Sequence, residues 1–365
     1  MKEYIKRICK AFQFKGHFSS VMPYGDGHIN DTYKVIYLDE LENEYVYILQ
    51  RINHSIFKET EGLMENIQAV TSYLSDSPSE DYDVLSLVKT IDNQIYYKTD
   101  DGDYFRAYIF VRNSKSYSFT ENLDLLTEAG KAFGSFQSLL KDFPVDSLNE
   151  TIKDFHNTPV RYNYFIDVVK KNKKRLNDTC SDEIAFVNNR KAIISKITDG
   201  IKSERIPLRV THNDTKLSNV LMDKDSNKGR CVIDLDTVMP GSALYDFGDA
   251  IRSCGSSVAE DEENLDKMDF DLDKFEAFTK GYLQVLQGEL TPYEIDLLPM
   301  AAILMTLECG IRFLADYLEG DVYFKVHKPK HNLIRARNQF KFVEIMEESL
   351  DSMIAIVVKY CGWED

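Results

Sequence analysis

The stretch Val210 to Leu221 (VTHNDTKLSNVL) and the apolar run Val232 to Asp236 (VIDLD) leave the chain little choice of fold. Between them, Asp223 to Gly229 (DKDSNKG) reads as a polar hairpin turn joining two apolar strands. A hairpin brings its own ends together, so Asp214, Asn219 and Asp234 converge on one spot. A lone Asp or Asn in a turn is ordinarily an Asx-turn or a helix cap. The meaning here lies in the combination with the hairpin.

Phosphoryl transfer needs such a set. One carboxylate orients or deprotonates the attacking hydroxyl, while an amide oxygen and a second carboxylate hold Mg2+ against the β- and γ-phosphates of ATP. The spacing H-x-D-x-x-x-x-N, followed by a hairpin and an apolar strand ending in Asp, matches the catalytic-loop layout of kinases. Asp214 is the candidate base, Asn219 and Asp234 are the candidate metal ligands, and His212 and Asp236 are candidate loop supports. Asp246 and Asp249 follow, three apart, and two readings stand. They are acidic residues favoured at a helix N-terminus, or Asp246 accepts hydrogen bonds from the catalytic-loop backbone and holds it rigid.

The run THNDTKLSNVLMD with VIDLDTVMPGSALYDFGDAIR resembles the aminoglycoside phosphotransferase and choline kinase superfamily. Within it the chain is similar to the bacterial N-acetylhexosamine 1-kinase family. That likeness extends to YGDGHINDTYKV, YVYILQRIN and LECGIRFLADYLEGDVYF, most of the chain. The resemblance implies ATP and a small neutral amino sugar as substrates, with transfer to the anomeric hydroxyl of N-acetylglucosamine or N-acetylgalactosamine.

Composition is compatible with this. A chain of 365 residues with 43% hydrophobic content has ample core for two lobes. Its net charge of −16 repels nucleic acid and anionic membranes, and a neutral acceptor meets no such conflict. No uninterrupted apolar stretch approaches the ~18 residues of a membrane helix, and the start lacks an apolar signal core, so a cytoplasmic protein is expected. The six cysteines include no C-x-x-C pair, which argues against a zinc site or a disulfide framework.

Along the chain, Met1 to Phe14 has helical spacing, and Phe18 to Leu38 reads strand, Gly turn, strand. Gly25 and Gly27 can present backbone N–H groups to the phosphates, although an ordinary hairpin turn is the default. His28, Asn30 and Asp31 just beyond it suit sugar hydroxyls and an amide, or else Asn30 and Asp31 cap the turn. The alternating strand Glu44 to Ile52 lacks the phosphate-binding lysine of kinases. Gln50 or Arg51 stands in its place, and whichever points inward neutralises the α/β-phosphates. In the following helix, Phe57 to Leu74, Glu61 or Glu65 is the candidate partner for that cation or belongs to a solvated face. Tyr104 to Val111 leads into a hinge that would meet adenine.

From Asn122 the pattern turns helical, placing the boundary between lobes near residue 112, with an N-terminal lobe over 1–112 and a C-terminal lobe over 113–365. Asp236 to Gly241 reads as a loop, and helices are expected at Phe275 to Leu286, Pro292 to Tyr317 and Leu333 to Tyr360. Arg312 lies in an apolar setting and must find a partner. Glu308 one turn earlier is one choice. The family resemblance instead sends Arg312 to sugar oxygens, with Tyr323 closing over the ring.

The expected fold is therefore α+β: a two-lobed, protein-kinase-like architecture with a small N-terminal lobe built on an antiparallel sheet and a larger, mainly helical C-terminal lobe. Two other functions remain open on the same fold: a kinase of amino alcohols or aminoglycosides, and a regulatory pseudokinase supported only by the missing strand lysine. If Asp214 is the base, Asp214→Asn abolishes turnover and leaves ATP binding intact. Parallel activity and calorimetric titrations check this, and equal loss of both removes Asp214 from that role.

Overall fold

The computed structural model describes residues 2–25, 29–76, 82–172 and 179–362. Strands β1 (His17–Pro23), β2 (Asp31–Leu38), β3 (Glu44–Ile52), β4 (Tyr97–Lys98) and β5 (Tyr104–Ile109) form an antiparallel sheet in the order β1-β2-β3-β5-β4. Alternation along the strands sorts side chains to two faces. Val35, Tyr37, Tyr47, Leu49, Phe105 and Ala107 pack beneath helix α1 (Lys2–Cys9), which contributes Ile5, Ile8 and Cys9. Ile52 and Tyr108 face the other way, onto helix α2 (Thr60–Asp76) through Leu63, Met64 and Ile67. The register sets Gln50 opposite both Thr32 and Arg106. Three polar side chains thereby share the face that looks toward the rest of the molecule.

Beyond β6 (Ser114–Lys115) the chain is mainly helical: α3 (Leu123–Leu139), α4 (Thr158–Lys171), α5 (Ser181–Asn189) and α6 (Lys196–Lys202) come first. Three strands follow. β7 (Arg209–Thr211) leads into the catalytic-loop candidate, and β8 (Val220–Asp223) and β9 (Gly229–Val232) make the expected hairpin, with β6 alongside β8. The segment expected to be a loop at Asp236 to Gly241 is more ordered: Leu235–Thr237 is a single 3-10 turn, and Met239–Gly241 is a strand, β10, paired antiparallel with β7. The pairing clamps the two ends of the site together, which an isolated reading of Met-Pro-Gly does not reveal.

Helices α7 (Ala243–Cys254), α8 (Leu272–Leu286), α9 (Pro292–Glu319), α10 (His331–Glu348) and α11 (Leu350–Tyr360) complete the chain. The single terminal helix expected over Leu333 to Tyr360 is broken at Ser349, which leaves helical geometry with ψ 2°. A capping box between Thr291 and Glu294 starts α9, and Gly320 ends it at φ 103°. This helix is long and apolar enough to cross a membrane, but 83% of its most apolar window is buried within the protein.

Helices α3 and α8 approach backbone to backbone. A Cβ on Gly281 would sit 2.0 Å from the Thr127 carbonyl oxygen, and one on Gly130 would sit 2.3 Å from that of Phe278. Such overpacking costs about 1–3 kcal/mol where backbones cannot yield. Gly281→Ala is accordingly expected to lose about 2–3 kcal/mol in denaturant unfolding. Gly288→Ala, whose added Cβ meets nothing within 4 Å, is expected to stay within about 0.5 kcal/mol of the parent.

Candidate active site

The site is assembled at the end of β7. Asn213 takes a left-handed conformation at φ 66°, so the N–H groups of His212 and Asn213 turn toward one carboxylate. Asp246 on α7 accepts both, at 3.0 and 2.7 Å, and a third bond from Gln137 Nε2 at 2.6 Å. Burial pushes the Asp246 carboxyl above its usual range; His212 and the N–H donors oppose that only in part. The neighbouring Asp249 accepts from the Thr215 N–H at 3.0 Å and from Arg252 Nε at 2.8 Å.

His212 sits edge-on to Phe133 and Phe136. Its Nε2 is 2.9 Å from the Ile233 carbonyl, and its Nδ1 is 3.2 Å from the Asp214 N–H. One nitrogen thus faces an acceptor and the other a donor, which assigns the neutral Nε2–H tautomer.

Asp214 faces Lys216, whose Nζ lies 2.7 Å from Oδ1. Asn219 donates Nδ2 to the Asp214 carbonyl at 2.8 Å, an orientation that leaves its amide oxygen as an acceptor. Asp234 is left-handed at φ 63°. Its carboxylate is reached by solvent along the cleft yet surrounded by protein, and burial, then Asp236 and Asp214, push it up to about 6. Crowded carboxylates beside an open amide oxygen suit a divalent cation, which relieves their repulsion. Among the described residues no three His, Cys, Asp or Glu side chains form a ready-made metal cage.

On the sheet side the inward residue is Gln50, but the cation is Arg106, a residue not singled out from sequence. Gln50 Oε1 accepts from Arg106 Nε at 2.9 Å and Gln50 Nε2 donates to Thr32 at 3.0 Å. Arg106 pairs directly with Asp236, both almost wholly buried. Burial opposes the guanidinium charge, but Asp236 outweighs it and raises the Arg106 pKa. Asp236 also accepts from Asn30 Nδ2 at 2.6 Å. An arginine at an inward position of an apolar strand needs a partner, and that signal in YFRAYIF could have found it.

Three candidates are placed elsewhere. Arg51, one residue along the strand, points to the opposite face and bonds Asp31 at 2.9 Å, at the exposed sheet surface. The pair removes both Arg51 and Asp31 from the cleft. Glu65 is exposed and receives a bond from Asn149 at 3.1 Å; the α2 residue that faces Arg106 is Met64, its sulfur 4.0 Å from the guanidinium. Gly25 is a left-handed turn at φ 76°, whereas Gly27 and His28 lie outside the described residues.

Arg312 does not bond Glu308, whose carboxylate is held by His156 Nδ1 at 2.8 Å and Thr158 Oγ1 at 2.5 Å. The Arg312 guanidinium instead lies over the Phe155 and Phe324 rings, at 5.3 and 5.6 Å. Arg161 stands close by, its pKa lowered by burial and by the like charge of Arg312. Tyr323 is 58% exposed beside this pair of rings.

A family model described as phosphotransferase enzyme family matches residues 20–278. The chain belongs to that family. It has the protein-kinase-like fold of its structural neighbours. The microcompartment-associated aminopropanol kinase aligns at TM-score 0.62 and 16% identity, over 96% of this chain and 98% of that one. Choline kinase from Cryptosporidium parvum Iowa II aligns at 0.61 and 14%, over 98% and 99%. Amicoumacin kinase hAmiN, in complex with AMP-PNP, Ca2+ and Ami, aligns at 0.60 and 16%, over 94% and 93%.

In this phosphotransferase the strand cation and its carboxylate are Arg106 and Asp236, where protein kinases use a strand lysine and a helix glutamate. Removing one member of a buried pair strands the other's charge at about 3–5 kcal/mol. Arg106→Met is expected to lose that much in unfolding experiments, and adding Asp236→Asn is expected to restore part of it.

Proposed function

We propose that this phosphotransferase moves the γ-phosphoryl group of ATP to the anomeric hydroxyl of an N-acetylhexosamine, N-acetylglucosamine or N-acetylgalactosamine. Asp214 takes or orients the hydroxyl proton. Asn219 and Asp234 hold Mg2+, which neutralises charge on the β- and γ-phosphates. Lys216, paired with Asp214 at 2.7 Å, is within reach of a transferring phosphoryl group and exchanges its carboxylate partner for phosphate when ATP binds. Gly25 belongs to the turn over the phosphates, and Arg312 and Tyr323 contact the sugar. Asn30 is fixed between Asp236 and the Asn53 N–H.

The observation that carries the acceptor assignment is the arginine pair. Arg312 and Arg161 lie together among Phe155, Phe324 and Tyr323. The nearby carboxylates are engaged: Glu308 by His156 and Thr158, Asp154 by Asn157 Nδ2 at 2.8 Å, and Asp316 by backbone N–H groups. Two guanidinium groups repel an ammonium and donate well to hydroxyl and acetamido oxygens. This favours a neutral sugar over cationic acceptors of the choline or aminopropanol type.

Turnover with Mg-ATP and, in parallel, N-acetylglucosamine, N-acetylgalactosamine, glucose, choline and aminopropanol tests the reading. The expected product shows phosphorus coupled to the anomeric proton of an N-acetylhexosamine by NMR. Turnover of only a cationic acceptor, with an affinity that weakens as salt rises, removes the sugar assignment and keeps the kinase.

A further inference from the structure

We infer that α9 is a shared brace that sets the catalytic loop and the acceptor-covering loop against each other, with His156 and Asp316 as positioning residues. Glu308, Arg312 and Asp316 are spaced by four and fall on one face of this helix, about 12 Å from first to last. Each end of that stripe ties down a different loop.

At the first end, Glu308 is 1% exposed and holds His156 Nδ1 at 2.8 Å. The other nitrogen of the same ring, Nε2, lies 3.3 Å from the Asn213 carbonyl, immediately before Asp214. Tyr245 on α7 tilts against the imidazole with centroids 5.3 Å apart. Burial opposes the Glu308 charge, but His156, Thr158 and Arg312 outweigh it and hold the Glu308 carboxyl below its usual range. Asp246 secures the N–H groups of this turn, and His156 secures its carbonyl.

At the second end, Asp316 is 4% exposed, and its two oxygens accept four bonds. They come from the N–H groups of Val322, Tyr323 and Phe324 at 2.9, 2.7 and 2.9 Å, and from Asn332 Nδ2 at 2.8 Å. The chain reverses into this cradle through left-handed Gly320 and Asp321. A carboxylate enclosed by successive N–H groups fixes the path of the backbone, here the path that presents Tyr323.

The middle of the stripe joins the two. Arg312 lies between Phe155, the neighbour of His156, and Phe324, the neighbour of Tyr323. The helix itself is buried, boxed at its start and stopped by glycine. Spacing between Asp214 and an acceptor beneath Tyr323 is therefore set by helix geometry rather than by two independent loops. Effective phosphoryl transfer depends on that spacing.

The kinetic half of this inference rests on the proposed acceptor site; the structural half does not. Hydrogen exchange on the acceptor-free protein reads the structural half. Asp316→Asn is expected to speed exchange at residues 322–324 about tenfold and leave 212–215 unchanged, while His156→Ala does the reverse; tenfold corresponds to one net hydrogen bond. With whichever acceptor the parent turns over, Asp316→Asn is expected to raise the acceptor KM about tenfold with kcat within about twofold. His156→Ala is expected to lower kcat about tenfold with both KM values within about twofold, and His156→Gln, which retains a donor, to recover part of the loss. Should His156→Ala fail to fold, His156→Gln and Glu308→Gln carry the same test, each lowering kcat selectively. Parallel changes of kcat and KM in both classes of variant, or unchanged exchange in both segments, overturn the brace. If no N-acetylhexosamine is turned over, the acceptor assignment fails while the exchange experiment still decides the brace.

Discussion

With Asn213 left-handed, the catalytic-loop candidate turns two consecutive N–H groups inward, and the carboxylate of Asp246 accepts both. An unmade bond to a buried N–H costs about 1–3 kcal/mol, so the turn exists only while that carboxylate is in place. Asp246 is in turn set by α7, which lies so close to α9 that a Cβ on Gly248 would come within 2.5 Å of the Ala301 carbonyl. The position of Asp214 is thus inherited from helix packing in the core. Thr215 repeats the arrangement one step along, its N–H on Asp249 and its hydroxyl on the Asp246 carbonyl.

The sheet is tied to this assembly through Asp236. Arg106 and Asn30 converge on its carboxylate from β5 and from the turn before β2. A buried pair of this kind contributes little net stability, since desolvation offsets the attraction, yet it is costly to break. Its effect is on geometry: the sheet, the loop at Asn30 and the turn after β9 hold one relative placement. Asn66 on α2 adds a second link, donating to the carbonyls of Asn149 and Val238.

What could be read from sequence was what is local. The hairpin from Val220 to Val232 and the clustering of Asp214, Asn219 and Asp234 depend on one short stretch folded back by a single turn, and the alternation of β3 and the onset of α3 at Asn122 are equally local. The choice between Gln50 and Arg51 was not local, because a slip of one residue exchanges the two faces of a strand. Only the pairing of Gln50 with Arg106 shows where the cation comes from. Glu308 looked like a partner for Arg312 one turn away, whereas its actual partner His156 is 152 residues distant in sequence. Asp316 gave no signal, since it binds backbone N–H groups that every sequence possesses. The break at Ser349 was likewise hidden, because apolar spacing continues across it.

Arg106 is neutralised within the protein by Asp236, so it presents little net positive potential to an incoming triphosphate. Asp214 and Asp234 stand in the same cleft of a chain that carries sixteen more acidic than basic side chains. Metal-free nucleotide, with its full negative charge, meets repulsion there; the same nucleotide carrying its cation meets carboxylates that the cation attracts. With the ligand roles proposed for Asn219 and Asp234, the cleft discriminates between two ionic forms of one molecule. Its filter is the charge state of the ligand, imposed before shape is tested.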